Sequence, residues 1–137
     1  MKRIAIVTGA SRGIGREIAK MLAKEDIQVI ANYNNSEKKA IELQEELKKE
    51  NINIDIFKAD ISKREDARKL VEYTLEKYKK IDILVNNAGI SEYKMFTEET
   101  DSDWNRVINN NLYSAFVMCQ EVIPNMIHNK NGNIINI

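Results

Sequence analysis

Between Thr8 and Gly15 the chain reads Thr-Gly-Ala-Ser-Arg-Gly-Ile-Gly, a glycine-rich turn set between a short apolar run and a stretch of helical period. A turn that feeds a helix in this way presents unsatisfied amide groups and the positive end of the helix dipole, a setting that favours phosphate. Gly9 suits the tight turn, Gly13 lets a pyrophosphate approach the backbone, and Gly15 lets the helix pack closely on the strand. Ala10, Ser11, Arg12 and Ile14 complete the loop. It lacks the Gly-Lys-Ser/Thr ending with which a P-loop holds nucleoside triphosphate and Mg²⁺, so ATP hydrolysis is disfavoured. A purely structural turn is the alternative, and the placement between strand and helix argues against it.

A second group of residues bears on which dinucleotide is bound. An acidic residue at the end of the second strand accepts hydrogen bonds from the ribose 2′-OH of NAD and repels the 2′-phosphate of NADP. Here Asn32-Tyr33-Asn34 carries no carboxylate, and Arg12 supplies a guanidinium suited to phosphate, so NADP(H) is expected over NAD(H). The competing reading makes Arg12 a solvent-exposed loop residue. His128 is the single histidine, which excludes a histidine-based triad and a multi-histidine metal site; it reads as a solvated helix end. Cys119, alone and beside Phe116, Val117 and Met118, reads as a buried thiol. Trp104 and the methionines read as core or rim packing.

These groups need a scaffold, and the hydrophobic pattern supplies one. Short β-branched runs at 3–8, 27–32, 53–59, 81–86 and 133–137 alternate with longer segments of helical period at 14–25, 36–50, 62–79, 101–109 and 111–128. That alternation predicts a parallel sheet with crossover helices, and the near-continuous apolar strands fit a sheet covered on both faces. Ser36 is the expected N-cap of the second helix, and Pro124 predicts a kink or an earlier end in the last. With 137 residues, 43% hydrophobic and 31% charged, and 21 basic against 21 acidic side chains, the chain suits one globular domain. No charge excess attracts nucleic acid, and no run is long enough for a membrane span or a secretory h-region, so a cytoplasmic protein without nucleic-acid or membrane partners is expected.

The spacing T-G-x-x-x-G-x-G, together with Asn86-Asn87-Ala88-Gly89 after the fourth strand, the wording Ile-Asp-Ile-Leu-Val at 81–85 and Asn111-Leu112, resembles the short-chain dehydrogenase/reductase family from the first strand to the last residue. The resemblance implies an α/β, Rossmann-type three-layer fold, with five parallel strands in the order 3-2-1-4-5 flanked by helices. It implies one NAD(P)-binding domain over 1–137, incomplete at the C-terminus and ending before the family's sixth and seventh strands. Asp60 and Ile61 would contact adenine, although Asp60 also suits a helix cap. Asn87, Ala88 and Gly89 would line the ribose side. Asn111 matches the catalytic asparagine whose backbone carbonyl holds a water in a proton relay; the alternative is an asparagine that separates two helices, with Asn109 and Asn110 beside it.

The family's chemistry is hydride transfer between nicotinamide and a carbonyl or alcohol, with a serine and a Y-x-x-x-K pair expected just after the fifth strand and so beyond Ile137. Neither that serine nor a Y-x-x-x-K is expected within the chain: among Tyr33, Tyr73, Tyr78, Tyr93 and Tyr113 only Tyr78 is read as preceding a lysine run, Lys79-Lys80, with the wrong spacing at a helix end, and the chain alone is expected to be inactive. The loop wording and Val-Asn-Asn-Ala-Gly-Ile look most like bacterial reductases of fatty acid biosynthesis that act on 3-oxoacyl groups carried by acyl carrier protein. Residues 123–137 also resemble reductases acting on a modified elongation factor P, and a cofactor-binding module without catalysis is the third reading. A homotetramer is implied for a full-length parent, and the open fifth strand implies lower stability for the shorter chain.

Overall fold

The computed structural model describes residues 2–137. Strands β1 (Ile4–Val7), β2 (Gln28–Tyr33), β3 (Asp55–Lys58), β4 (Ile83–Asn86) and β5 (Asn133–Asn136) alternate with helices α1 (Gly13–Lys24), α2 (Glu37–Lys49), α3 (Arg64–Tyr78), α4 (Asp101–Ile108) and α5 (Ser114–His128). All strand pairs are parallel, in the order β3-β2-β1-β4-β5, as the sequence led us to expect.

The period of two along the strands sorts the core into two layers. Ile4, Ile6, Ile30 and Leu84 face α3 and α5, where Leu70, Val117, Met118 and Val122 meet them. Ala5, Val7, Val29, Ala31 and Val85 face the opposite way, against Ala19, Ala23, Leu43 and Leu47 of α1 and α2. Every β1 residue is therefore buried, which explains why its sequence alternates in side-chain direction but not in polarity. Val7 ends β1 opposite Ala31 and Val85, while β2 runs two residues further to Tyr33 and β4 one further to Asn86. The chain leaves β1 toward β2 on one side and returns to β4 on the other. This strand reversal opens a crevice at the carboxyl ends, the usual ligand position in open α/β sheets.

Several local expectations need correction. The two helices expected over 101–128 are one continuous helical run, because a π-helical segment (Asn109–Tyr113) joins α4 directly to α5. A 3₁₀ turn (Phe96–Glu98) precedes α4, and Thr100 caps α4 reciprocally with Asp103. Ser36 stands at the N-cap of α2, but its hydroxyl makes no capping bond. Pro124 does not end α5, which continues to His128. The carbonyl deprived of a partner belongs to Gln120, which is exposed along with Pro124, so the lost bond lies on the solvent side of the helix. Cys119 is half-buried rather than enclosed, and Trp104 lies outside the core with Tyr93 and Phe96. Among the described residues no helix is long and apolar enough to cross a membrane.

At the amino end of the sheet Asp82 acts as a staple. Its Oδ2 accepts from the Ile4 amide at 2.8 Å and lies 2.9 Å from Lys80 Nζ, while Oδ1 accepts from Asn131 at 3.0 Å. Burial pushes this carboxyl up, but Lys80, the Ile4 amide and Asn131 outweigh it and hold the group below its ordinary value of 3.8. Asp82→Ala is expected to cost about 2–3 kcal/mol at neutral pH, because it strands the buried Ile4 N–H. A carboxyl whose folded pKa is depressed stabilises fully above its unfolded pKa and loses that contribution as pH falls toward the folded value. The gap between wild type and variant in urea melts should therefore close as pH drops below about 4.

Candidate functional site

Two buried side chains, Thr8 and Asn32, and the half-buried Asn87 hold the ends of β1, β2 and β4 together. Thr8, fully buried after β1, accepts at Oγ1 from the amides of Asn87 and Ala88, both at 3.0 Å, and donates to the Val85 carbonyl at 3.3 Å. Asn87 Nδ2 returns to the carbonyls of Thr8 (3.1 Å) and Gly9 (3.2 Å). Asn32 Oδ1 accepts from the Gly9 amide at 3.3 Å, and its Nδ2 donates to the Ala59 carbonyl at 3.0 Å. The asparagine expected at the ligand thus has its side chain committed to the protein, bracing the glycine loop against β3.

The loop then turns. Gly9 has φ +63°, and a Cβ there would stand 2.8 Å from Ala88 Cα. Gly15 is pressed beneath the loop: its Cβ would meet the Asn87 side-chain amide and lie 2.5 Å from the Gly9 carbonyl oxygen. The close approach that requires Gly15 is therefore to the loop and Asn87, more than to a strand. Gly13, at φ +57°, has nothing within 4 Å of its missing Cβ. Arg12 is the N-cap of α1 and gives no capping bond, and the first turn holds no acidic residue. The amides that open α1 are consequently free of side-chain competitors and face open space, an arrangement that fits a diphosphate.

These residues border an open cleft of about 440 Å³. All the expected cofactor residues line it except Ala10 and Gly15, which sit behind the loop: Gly9, Ser11, Arg12, Gly13 and Ile14 on one wall, Asn32, Tyr33 and Asn34 at the end of β2, Asp60 and Ile61 after β3, and Asn87, Ala88 and Gly89 after β4. Sequence reasoning missed Asn35, Ser36, Ala59, Ile90 and Asn110, which also line the cleft. Their common signal is position, since each lies within a few residues of a strand's carboxyl end or of Asn111. The Asp60 carboxylate accepts from Ser62 Oγ (2.6 Å) and N (3.2 Å), a local turn ahead of α3 whose N-cap is Lys63.

Asn111 lies in the π-helical segment, and its side chain grips the chain just past Gly89. Oδ1 accepts from the Ile90 amide at 2.8 Å and Nδ2 donates to the Ile90 carbonyl at 2.9 Å. It joins the helical run to the cleft and does not separate two helices. A second depression, lined by Thr8, Asn86, Asn111, Ser114 and Cys119, shares Asn87, Ala88 and Gly89 with the first.

The tyrosine reading also needs correction. Tyr73 and Lys77 do have the Y-x-x-x-K spacing, within the third helical segment and not after the fifth strand. Both sit on α3 and converge on Asp55 at the amino end of β3: Tyr73 Oη at 2.9 Å, Lys77 Nζ at 2.8 Å and Tyr78 Oη at 2.8 Å. That is the end of the sheet opposite the glycine loop. Burial, then Asp55, pushes the Tyr78 hydroxyl up to about 12 and raises that of Tyr73, the opposite of what a proton-transferring tyrosine needs. The cluster fastens α3 to β3.

Residues 3–137 match the family model described as short chain dehydrogenase. The chain belongs to this family. Within the short-chain dehydrogenases it is 36% identical, over 137 residues, to the 3-oxoacyl-[acyl-carrier-protein] reductase FabG of Staphylococcus epidermidis, covering 100% of this chain and 56% of that protein. It is 38% identical over 136 residues to the protein of the same name from Buchnera aphidicola subsp. Baizongia pistaciae, covering 99% and 54%. A mutant of a Serratia marcescens short-chain dehydrogenase/reductase superposes with a TM-score of 0.91 at 32% identity, covering 98% of this chain and 54% of that one. The chain thus spans about half the length of the curated relatives it matches. Short-chain dehydrogenases are nicotinamide-dependent oxidoreductases, and in open α/β sheets ligands bind in the crevice at the strand reversal.

Proposed function

We propose that this chain is the dinucleotide-binding part of an NADPH-dependent reductase that converts a carbonyl to an alcohol, with 3-oxoacyl groups on acyl carrier protein as the substrate class. The observation that carries the cofactor assignment is the uncapped opening of α1 beside Arg12. In this reading the amides of Gly13, Ile14 and Gly15 take the diphosphate and Arg12 takes the 2′-phosphate. Asp60 and Ile61 border the adenine, and Asn87, Ala88 and Gly89 border the adenosine ribose. Asn111 holds the Ile90 segment in register with that strip. The nicotinamide, when bound, supplies the hydride. The substrate class rests on the names of the relatives in Staphylococcus and Buchnera.

Arg12→Ala is expected to weaken NADPH binding about tenfold, the loss of one charge-assisted contact, and to leave NADH within about twofold. Fluorescence titration of both reduced cofactors measures this; an equal loss for both would remove Arg12 from phosphate recognition. A binding module without turnover is the reading we favour for the 137 residues by themselves. Among the described residues, the single tyrosine with a lysine four positions on is held at the far end of the sheet. Carbonyl-dependent oxidation of NADPH by this chain would overturn that reading. The parent protein is proposed to be a cytoplasmic homotetramer, and the exposed apolar residues Phe116, Ile123 and Ile127 on α5 support assembly.

A further inference from the structure

Glycine follows asparagine only at Asn131-Gly132, in the turn from α5 to β5, and both residues are exposed. Two separate structural demands place that pair there. A Cβ at position 132 would stand 2.5 Å from Met126 Cγ and Sδ and 2.7 Å from Met126 Cβ, and Met126 is a buried core side chain, so the turn closes over α5 with glycine. Asn131 is needed for its side chain. Its Nδ2 donates to Asp82 Oδ1 at 3.0 Å, the third hold on the carboxylate that staples the amino end of the sheet after the Ile4 amide and Lys80. In this turn the amides of Asn129, Lys130, Asn131 and Asn133 each reach a carbonyl. Among the described residues the Gly132 amide meets no acceptor. A main-chain nitrogen without a hydrogen bond thus follows a side-chain amide, and no Cβ hinders its approach.

We infer that Asn131 is a site of spontaneous covalent modification, at which attack by the Gly132 nitrogen turns the side-chain amide into a carboxylate and undoes the Asp82 staple. The Gly132 nitrogen, on losing its proton to hydroxide, bonds to Asn131 Cγ. The Cγ–Nδ2 bond breaks, Nδ2 takes a proton from water and leaves as ammonia, and a succinimide ring closes. Water then opens the ring, giving aspartate where it adds at the side-chain carbonyl and isoaspartate where it adds at the main-chain carbonyl. No electrons are transferred, and water is the co-reactant. Either product replaces the donor Nδ2 by an oxygen, so Asp82 Oδ1 loses its partner and gains a like charge nearby. Lys80, 2.9 Å from Asp82 Oδ2, offsets one carboxylate of the two. Isoaspartate also adds a carbon to the main chain just ahead of Asn133, whose amide pairs with the Asp82 carbonyl at 2.9 Å. The inference is independent of the cofactor reading.

The test is ageing of the full chain in mildly alkaline buffer at physiological temperature, sampled over weeks. Peptide mass spectrometry locates amide-to-acid conversion, enzymatic methylation detects isoaspartate, and a thermal melt is taken at each time. Asn131 should be the first asparagine to convert, and the converted protein should melt about 2–6 °C lower, the size of one lost bond to a buried carboxylate. Asn131→Asp, made directly, should reproduce that drop without ageing. Asn131→Gln, whose longer side chain closes its ring far more slowly, should melt after ageing as it does when fresh. Conversion that starts at another asparagine, or an aged Asn131→Gln that loses stability as fast as wild type, overturns the site. Conversion of Asn131 with a melting temperature within about 1 °C of the fresh protein overturns the link to Asp82.

Discussion

Thr8→Val is expected to lower stability by about 1–3 kcal/mol, because it removes the acceptor for two partly buried amides and supplies nothing in exchange. Valine matches threonine in volume, so the change isolates the hydroxyl from packing. In the wild type that hydroxyl accepts from Asn87 and Ala88 and donates to Val85, tying β1 to the turn after β4. Its loss should also reach the ligand, since this side chain, together with Asn87 Nδ2 on the Thr8 and Gly9 carbonyls, holds the glycine loop and the Asn87–Gly89 strip in register. We expect NADPH affinity to fall by more than tenfold. Thr8→Ser keeps the hydroxyl and should recover most of both losses. Urea denaturation and fluorescence titration measure the two effects, and a valine variant within about 0.5 kcal/mol of wild type would refute the assignment.

Gly9→Ala and Gly13→Ala should separate two uses of glycine in one loop. Both residues have positive φ, which costs a side-chain-bearing residue about 1–2 kcal/mol. At Gly9 the new methyl also lies 2.8 Å from Ala88 Cα, a backbone atom, so about 1–3 kcal/mol of overpacking adds to the strain. At Gly13 no atom stands within 4 Å, so strain is the whole stability cost and the methyl projects into the space we propose for the diphosphate. Gly9→Ala should therefore show the larger drop in melting temperature. Gly13→Ala should show a disproportionate loss of cofactor affinity. Equal stability losses in the two variants would mean that Ala88 yields to the methyl.

The sheet was legible because its signals are local and redundant: five apolar runs, the first four followed by turn residues, and two motifs whose places in a family fix the strand order. The cleft's membership followed from the same logic, since residues just past parallel strands gather at one end of the sheet. What escaped was side-chain direction. Asn32 could be placed at the end of β2, but nothing local says that its amide turns inward to Gly9 and Ala59. Glu37 lies four residues from Tyr33, across a strand end and a helix start, and only the three-dimensional turn brings them together. The run Asn109-Asn110-Asn111 reads as a helix break because asparagine side chains compete for backbone groups. In the folded chain two of those amides have targets, Asn110 on the Arg106 carbonyl and Asn111 on Ile90, and the helix widens instead of ending. Trp104 shows the limit of composition, since a large apolar side chain carries no label for core or surface.

The double grip of Asn111 on Ile90 ties the longest helical run directly to the strip that lines the cleft. Pressure applied to the outer side of that run, whether by crowding or by a neighbouring molecule, reaches the strip through a single amide. The Ile90 N–H is accordingly a natural reporter, a proton whose resonance registers events on both sides of the molecule at once.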